Sequence, residues 1–139
     1  MKRLLELNKF TFFYLALSWT IVITLLSLFS LSRIPKIELG LELGFADKII
    51  HFFFYLILTI IWHLYFYVKW RFTLKKYVLV SIALGAFIYG MLIEVLQDVL
   101  PYDRSAEWAD ILANTFGVIT GTVIIVLLIR NHKSLKRKN

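Results

Sequence analysis

Nine polar residues in three short motifs carry the side chains of acid–base chemistry and ligand binding within an otherwise apolar chain. A histidine near carboxylates exchanges protons close to neutral pH, and lysine and arginine bind phosphate or carboxylate groups. The spacing is helical, because residues four apart share one face of a helix. The members are Asp47, Lys48, His51 and Tyr55 in the first motif, Glu94 and Gln97 in the second, and Arg104, Asp110 and Asn114 in the third.

The elements that position these motifs are predicted to be membrane-spanning helices. The chain of 139 residues is 60% hydrophobic with a mean hydropathy of +0.76, whereas soluble domains are about 45–50% apolar. This composition excludes a soluble domain and a disordered chain. We predict an all-α membrane protein, one domain over 1–139, with a bundle of four transmembrane helices. Their expected positions are about 10–31, 48–68, 77–98 and 108–130, with an outward loop at 32–46.

The first apolar stretch is predicted to be a helix that stays in the protein. Its 22 residues exceed the about 7–15 residues of the apolar region in a signal peptide. No small-x-small cleavage motif follows it, so a cleaved signal is the less favoured alternative.

The distribution of charge predicts the orientation. Twelve of the 16 Lys and Arg residues precede the first helix, lie between the second and third, or follow the fourth, whereas eight of the nine acidic residues lie on the other side. Because basic loops stay in the cytoplasm, both termini are expected there. The net charge of +7 is thus a topology signal, and nucleic acid is not an expected partner. The absence of cysteine excludes disulfides, thiolate metal sites and cysteine nucleophiles.

Three polar residues reach one depth in the predicted helices. Counted from the start of the third helix, 17 residues at 1.5 Å each place Glu94 about 26 Å across a core of about 30 Å. His51 and Asn114 lie about one turn below the same outer surface. Ionisable residues inside a bilayer are functional candidates, so this convergence predicts a site. In the alternative interpretation the polar side chains only tie helices together, and Asp47 and Asp110 cap helix starts.

Small residues predict how the helices approach one another. Ala86 and Gly90 lie on the face of the third helix that leads to its polar motif, and Gly117 and Gly121 form a G-x-x-x-G motif on the fourth. Such faces allow close contact between helix backbones. We therefore predict that the third helix packs against the fourth and that the second contributes His51.

The three motifs resemble those of the VanZ-like family. Residues 47–55 are similar to its D-K-x-x-H-F-x-x-Y, residues 94–97 to its E-x-x-Q, and residues 104–121 to its R-x5-D-x3-N-x2-G-x3-G. They occur in order over more than half of the chain, and together they are specific. The resemblance implies a small integral protein of the bacterial cytoplasmic membrane. The family is named for a protein linked to resistance to the glycopeptide antibiotic teicoplanin, and the resemblance does not by itself transfer that property to this chain.

Two functions fit the predicted site. In the first, the protein binds or modulates a cell-envelope amphiphile, a lipid headgroup or lipid-linked precursor, and Lys48 and Arg104 hold its phosphate or carboxylate. In the second, His51 and Glu94 act as base and acid in catalysis on such a headgroup, although the chain has no recognisable nucleophile motif. A structural subunit of a membrane assembly is the remaining alternative.

Two further interpretations are disfavoured by the sequence. A metal site at His51, Glu94, Asp110 and Asp47 has suitable ligand types but no metal-binding spacing, so no metal or cofactor is predicted. Proton conduction needs a polar path to the cytoplasm, and the residues expected below the site are mostly apolar. His63 lies among aromatic residues typical of an interfacial belt and is left out of the site.

Overall fold

The computed structural model describes residues 9–28, 43–70, 72–99 and 107–138, and within them the side chains of 9–28, 45–70, 72–99 and 107–131. The described secondary structure is helical, and its elements are α1 (Lys9–Leu28), α2 (Leu43–Lys69), α3 (Lys76–Val99) and α4 (Trp108–Lys138). Each of the four contains a stretch long and apolar enough to cross a membrane. The prediction of an all-α membrane protein with four spanning helices is confirmed.

Two helices extend beyond the apolar stretches that predict them. α2 begins at Leu43, so residues 43–46, which the sequence places in the outward loop 32–46, form its first turn. α4 continues to Lys138, past the expected end near 130. Hydropathy detects the part of a helix that lies in the bilayer, whereas helical hydrogen bonding continues into the interface where no proline interrupts it. Residues 29–42, which hold the expected end of the first helix and most of the loop, lie outside the described residues.

α2 is the central helix, and its most extensive contact is with α4. Gly117 and Gly121 permit this approach: a Cβ on Gly117 would lie 2.9 Å from the nitrogen of Leu56 and closer still to the carbonyl oxygen of Phe52. A Cβ on Gly121 would lie 2.8 Å from the oxygen of Leu56. The prediction that this glycine face packs mainly against the third helix is therefore wrong. A small-residue pattern marks a face that can be approached closely and does not identify the partner.

An apolar core joins all four helices. Its buried members are Ile23, Tyr55, Leu58, Ala86 and Val118. α1 is also attached to α2 by a hydrogen bond, because the indole Nε1 of Trp19 donates to the carbonyl oxygen of Phe54 over 3.2 Å. Large apolar side chains on the outer faces of the helices are exposed, as expected of a bundle surrounded by lipid.

Candidate functional site

His51 is buried near the beginning of α2, with 1% of its surface exposed. Its Nδ1 is 3.1 Å from Oδ1 of Asn114 on α4. A carbonyl oxygen only accepts hydrogen bonds, so Nδ1 donates this bond and Nε2 of the neutral ring keeps a lone pair. Asn114 therefore selects the tautomer in which Nε2 is the basic nitrogen.

Asn114 also links α4 to α3. Its Nδ2 donates to Oε1 of Glu94 over 3.4 Å, and the same carboxylate oxygen is 3.7 Å from Nδ1 of His51. Glu94 is 1% exposed. A single amide group thus holds a buried histidine and a buried carboxylate together, and three helices contribute one side chain each to this buried triad.

An outer layer of charged groups lies about one helical turn away. Oδ2 of Asp47 is 4.0 Å from Nε2 of His51, so the basic nitrogen faces an acid. Lys48 forms ion pairs with Glu107 and with Asp110, the latter with 3.3 Å between Nζ and Oδ1. Asp110 is buried, whereas the side chain of Glu107 is 53% exposed. The outer layer therefore connects the buried triad to the surface of the bundle.

Tyr55 and Gln97 are buried, but they have other surroundings. Nε2 of Gln97 donates to the carbonyl oxygen of Ser27 over 2.8 Å, which ties α3 to α1. The ring of Tyr55 lies against Gly90, where a Cβ would come within 3.1 Å of it. The Tyr55 hydroxyl makes no hydrogen bond with any described residue. Both side chains thus support the helix packing around the triad, together with Ala86 in the core.

For Arg104 and Glu107, the described structure and the predicted list of site residues differ. Arg104 lies outside the described residues, so its place in the site stays a prediction. Glu107 was not among the predicted site residues, yet it is an ion-pair partner of Lys48. The available signal was its spacing of three residues from Asp110, which places both carboxylates on one side of the helix start.

A polar stripe continues along α2 beyond the triad. Tyr55, Thr59 and His63 follow His51 at steps of four residues, and all are fully buried. Nδ1 of His63 donates to the carbonyl oxygen of Thr59 over 2.6 Å, and the burial of His63 inside the bundle differs from the exposed position expected of an interfacial belt. The hydroxyls of Tyr55 and Thr59 have no hydrogen-bond partner among the described residues. The stripe therefore is not a continuous hydrogen-bonded path for protons.

A group of possible metal ligands overlaps the site. Asp47, His51 and Asp110 each place one donor atom within 4.8 Å of the others, and nitrogen and oxygen donors of this kind suit a divalent metal. However, Oδ1 of Asp110 already forms an ion pair with Nζ of Lys48 over 3.3 Å, so this oxygen is engaged by another group. Glu94, the fourth member of the set considered from the sequence, faces Nδ1 of His51 instead. The donors suit hydrogen bonding and proton transfer better than metal coordination.

The residues of the buried triad and the outer layer all lie in the part of the chain that matches a known protein family. The sequence model of a family described as VanZ/LLP1 matches residues 3–129, which contain the buried triad and the outer layer. Comparison with curated proteins and comparison with solved structures gave no match.

Proposed function

The chain belongs to the VanZ/LLP1 family, and from this premise we propose that it is a multi-pass protein of the bacterial cytoplasmic membrane that binds the headgroup of a cell-envelope amphiphile. The observation that carries the proposal is the triad of His51, Asn114 and Glu94, which is buried within spanning helices one turn from a partly exposed charged layer. Ionisable groups at such a position are costly, and they are commonly retained for a ligand or for proton transfer.

The charges favour a ligand that donates hydrogen bonds. The site has three carboxylates: those of Glu107 and Asp110 are paired with Lys48, and that of Asp47 lies 4.0 Å from Nε2 of His51. A phosphate would meet these acids, whereas a hydroxyl or ammonium group would donate to them. We therefore propose either the sugar of a lipid-linked precursor or the amine of a phospholipid as the bound group. In this proposal the phosphate of the same lipid interacts with Arg104, because Lys48 is already paired with Glu107 and Asp110.

Native mass spectrometry of the protein in mild detergent tests this binding. We expect the wild type to retain phosphatidylethanolamine or a lipid-linked sugar in preference to phosphatidylcholine, whose quaternary amine donates no hydrogen bond. Glu107→Gln and Arg104→Ala should each weaken retention at least about tenfold, because a hydrogen bond to a charged group contributes about 1.5–3 kcal/mol. Arg130→Ala removes the same charge near the other end of α4 and serves as the control. Unchanged retention in both site variants, with the proteins folded, would show that the residues are structural.

Acid–base catalysis on the same headgroup is the second candidate. The observation that favours it is the orientation of His51, whose Nδ1 is held by Asn114 while Nε2 faces Asp47 in the outer layer. In the same samples, catalysis predicts a chemically altered headgroup with the wild type and an intact one with Glu94→Gln. An intact lipid in both samples would leave binding as the function.

We also propose that the polar end faces outward and that both termini are cytoplasmic, because the basic residues cluster at the other end. Teicoplanin is itself lipidated, and tolerance to it is proposed to follow from competition at this outer surface.

The chain has no cysteine, so single introduced cysteines report the orientation of the protein in the membrane. A membrane-impermeant maleimide on intact cells should label Asp98→Cys and leave Asn131→Cys unlabelled. The reverse labelling pattern would refute the proposed orientation.

A further inference from the structure

A partly open cavity of about 440 Å³ lies between α1, α2 and α3, in the half of the bundle away from the polar site. Its volume is within the range of about 300–1,000 Å³ found for small-molecule sites. The cavity runs from Trp70 and Tyr77 at the end of the bundle to Tyr89 near its middle. Tyr77 and Tyr89 are twelve residues apart on α3, a rise of about 18 Å at 1.5 Å per residue. This shape suits one extended apolar chain.

The interior of the cavity has few polar atoms that still need a hydrogen-bond partner. At Gly85 in its wall, an added Cβ would meet no atom within 4 Å, so this part of the wall borders open space that a larger side chain could enter. At the inner end, the hydroxyl of Tyr89 is hydrogen-bonded to Thr24 over 2.6 Å and donates to the carbonyl oxygen of Thr20 over 3.2 Å. The inner end therefore suits a hydrocarbon terminus and not a polar headgroup.

Two ammonium groups lie close to aromatic rings near the mouth of the cavity, although neither lysine is itself a lining residue. Nζ of Lys69 is 5.4 Å from the ring centroid of Phe66, and Nζ of Lys75 is 5.8 Å from that of Tyr77. Both rings line the cavity. The acidic residues that the structure describes all lie at the opposite end of the bundle; they are Asp47, Glu94, Asp98, Glu107 and Asp110. An anion at the mouth would thus meet cations and aromatic rings.

We propose that this cavity binds one acyl chain of an anionic phospholipid, with the lipid phosphate between Lys69 and Lys75. The lipid belongs to the membrane leaflet opposite the polar site, because the mouth is at the other end of the bundle. Along α3, Tyr77 at the mouth of the cavity and Glu94 in the polar site are 17 residues apart, which corresponds to about 26 Å. The proposed lipid site is therefore independent of the headgroup site and of its proposed function.

Tryptophan quenching by brominated lipids tests the proposal, because Trp62 and Trp70 line the cavity. The protein would carry Trp108→Phe, which removes an exposed tryptophan at the polar end, and be reconstituted with brominated phosphatidylglycerol or phosphatidylcholine. We expect phosphatidylglycerol to quench at a lower mole fraction. Lys75→Gln should reduce this preference about fivefold, since one lysine near an anionic headgroup contributes about 1 kcal/mol. Arg130→Gln removes a positive charge from α4, which does not line the cavity, and should leave the preference unchanged.

A second pair of variants tests occupation of the cavity itself. Gly85→Phe fills the space and should abolish the quenching seen at low lipid fractions, whereas Ile88→Phe enlarges an exposed side chain on the same helix and should not. If Gly85→Phe fails to fold, Gly85→Leu provides a smaller filling side chain. Equal quenching by the two lipids in the wild type would overturn the proposal. So would a folded Gly85 variant that is quenched like the wild type.

Discussion

Replacement of Gly117 by alanine is expected to lower the free energy of unfolding by about 3 kcal/mol, at the upper end of the usual cost of overpacking. The added Cβ would overlap the carbonyl oxygen of Phe52 and lie 2.9 Å from the nitrogen of Leu56. Both atoms belong to the backbone of α2, so they cannot rotate away as a side chain would. α2 and α4 would have to separate, and His51 would move away from Asn114 with them.

Gly85→Ala is the matched control for this substitution. It is the same chemical change on a spanning helix, but no atom lies within 4 Å of the added Cβ. Alanine has the higher helix propensity, so Gly85→Ala should raise stability by up to about 1 kcal/mol. Unfolding of both variants in mixed detergent micelles, followed by circular dichroism, measures the difference. Equal stability of the two variants would contradict the close contact between α2 and α4.

Asn114→Leu is expected to lower stability by about 2–3 kcal/mol and to weaken the proposed headgroup binding at the polar site. The substitution keeps the size of the side chain, but it removes the acceptor for Nδ1 of His51 and the donor to Glu94. Each buried group that loses a hydrogen bond costs about 1–3 kcal/mol. The tautomer of His51 would no longer be selected, so the second expected result is a change in its ring nitrogen NMR shifts.

Thr115→Val is the matched control for Asn114→Leu. Thr115 is the next residue on α4, and its hydroxyl donates only to the carbonyl oxygen of Ile111 in its own helix, over 2.7 Å. Loss of such a local bond should change stability by less than about 0.5 kcal/mol. The nitrogen shifts of His51 should stay as in the wild type. Identical stability and shifts in the two variants would refute the bridging role of Asn114.

The location of the polar cluster is largely predictable from the chain. A bilayer sets the length of a spanning helix, and each residue adds a constant rise, so counting places His51, Glu94 and Asn114 at one depth. Their types are equally informative, because ionisable side chains are rare in lipid. The family motifs cover the same residues. For these reasons the number of helices, the family and the end of the bundle that carries the buried triad follow from the sequence.

The contacts between helices follow only from the tertiary structure. The glycine motif shows that α4 has a face open to close approach, but the choice of α2 over α3 depends on how each helix is rotated in the bundle. For the same reason Gln97, which has the spacing of a site residue, bonds to Ser27 on α1.

The charge partners and the burial of single residues also depend on the tertiary structure and not on the sequence pattern alone. Lys48 is predicted as a phosphate ligand from its type, whereas the fold places it between Glu107 and Asp110. His63 has the aromatic neighbours of an interfacial residue, yet the fold buries it. Hydropathy and spacing are properties of one helix at a time and determine its length, depth and polar faces. Which faces meet depends on the packing of all four helices at once, and that packing decides the partners of each polar group.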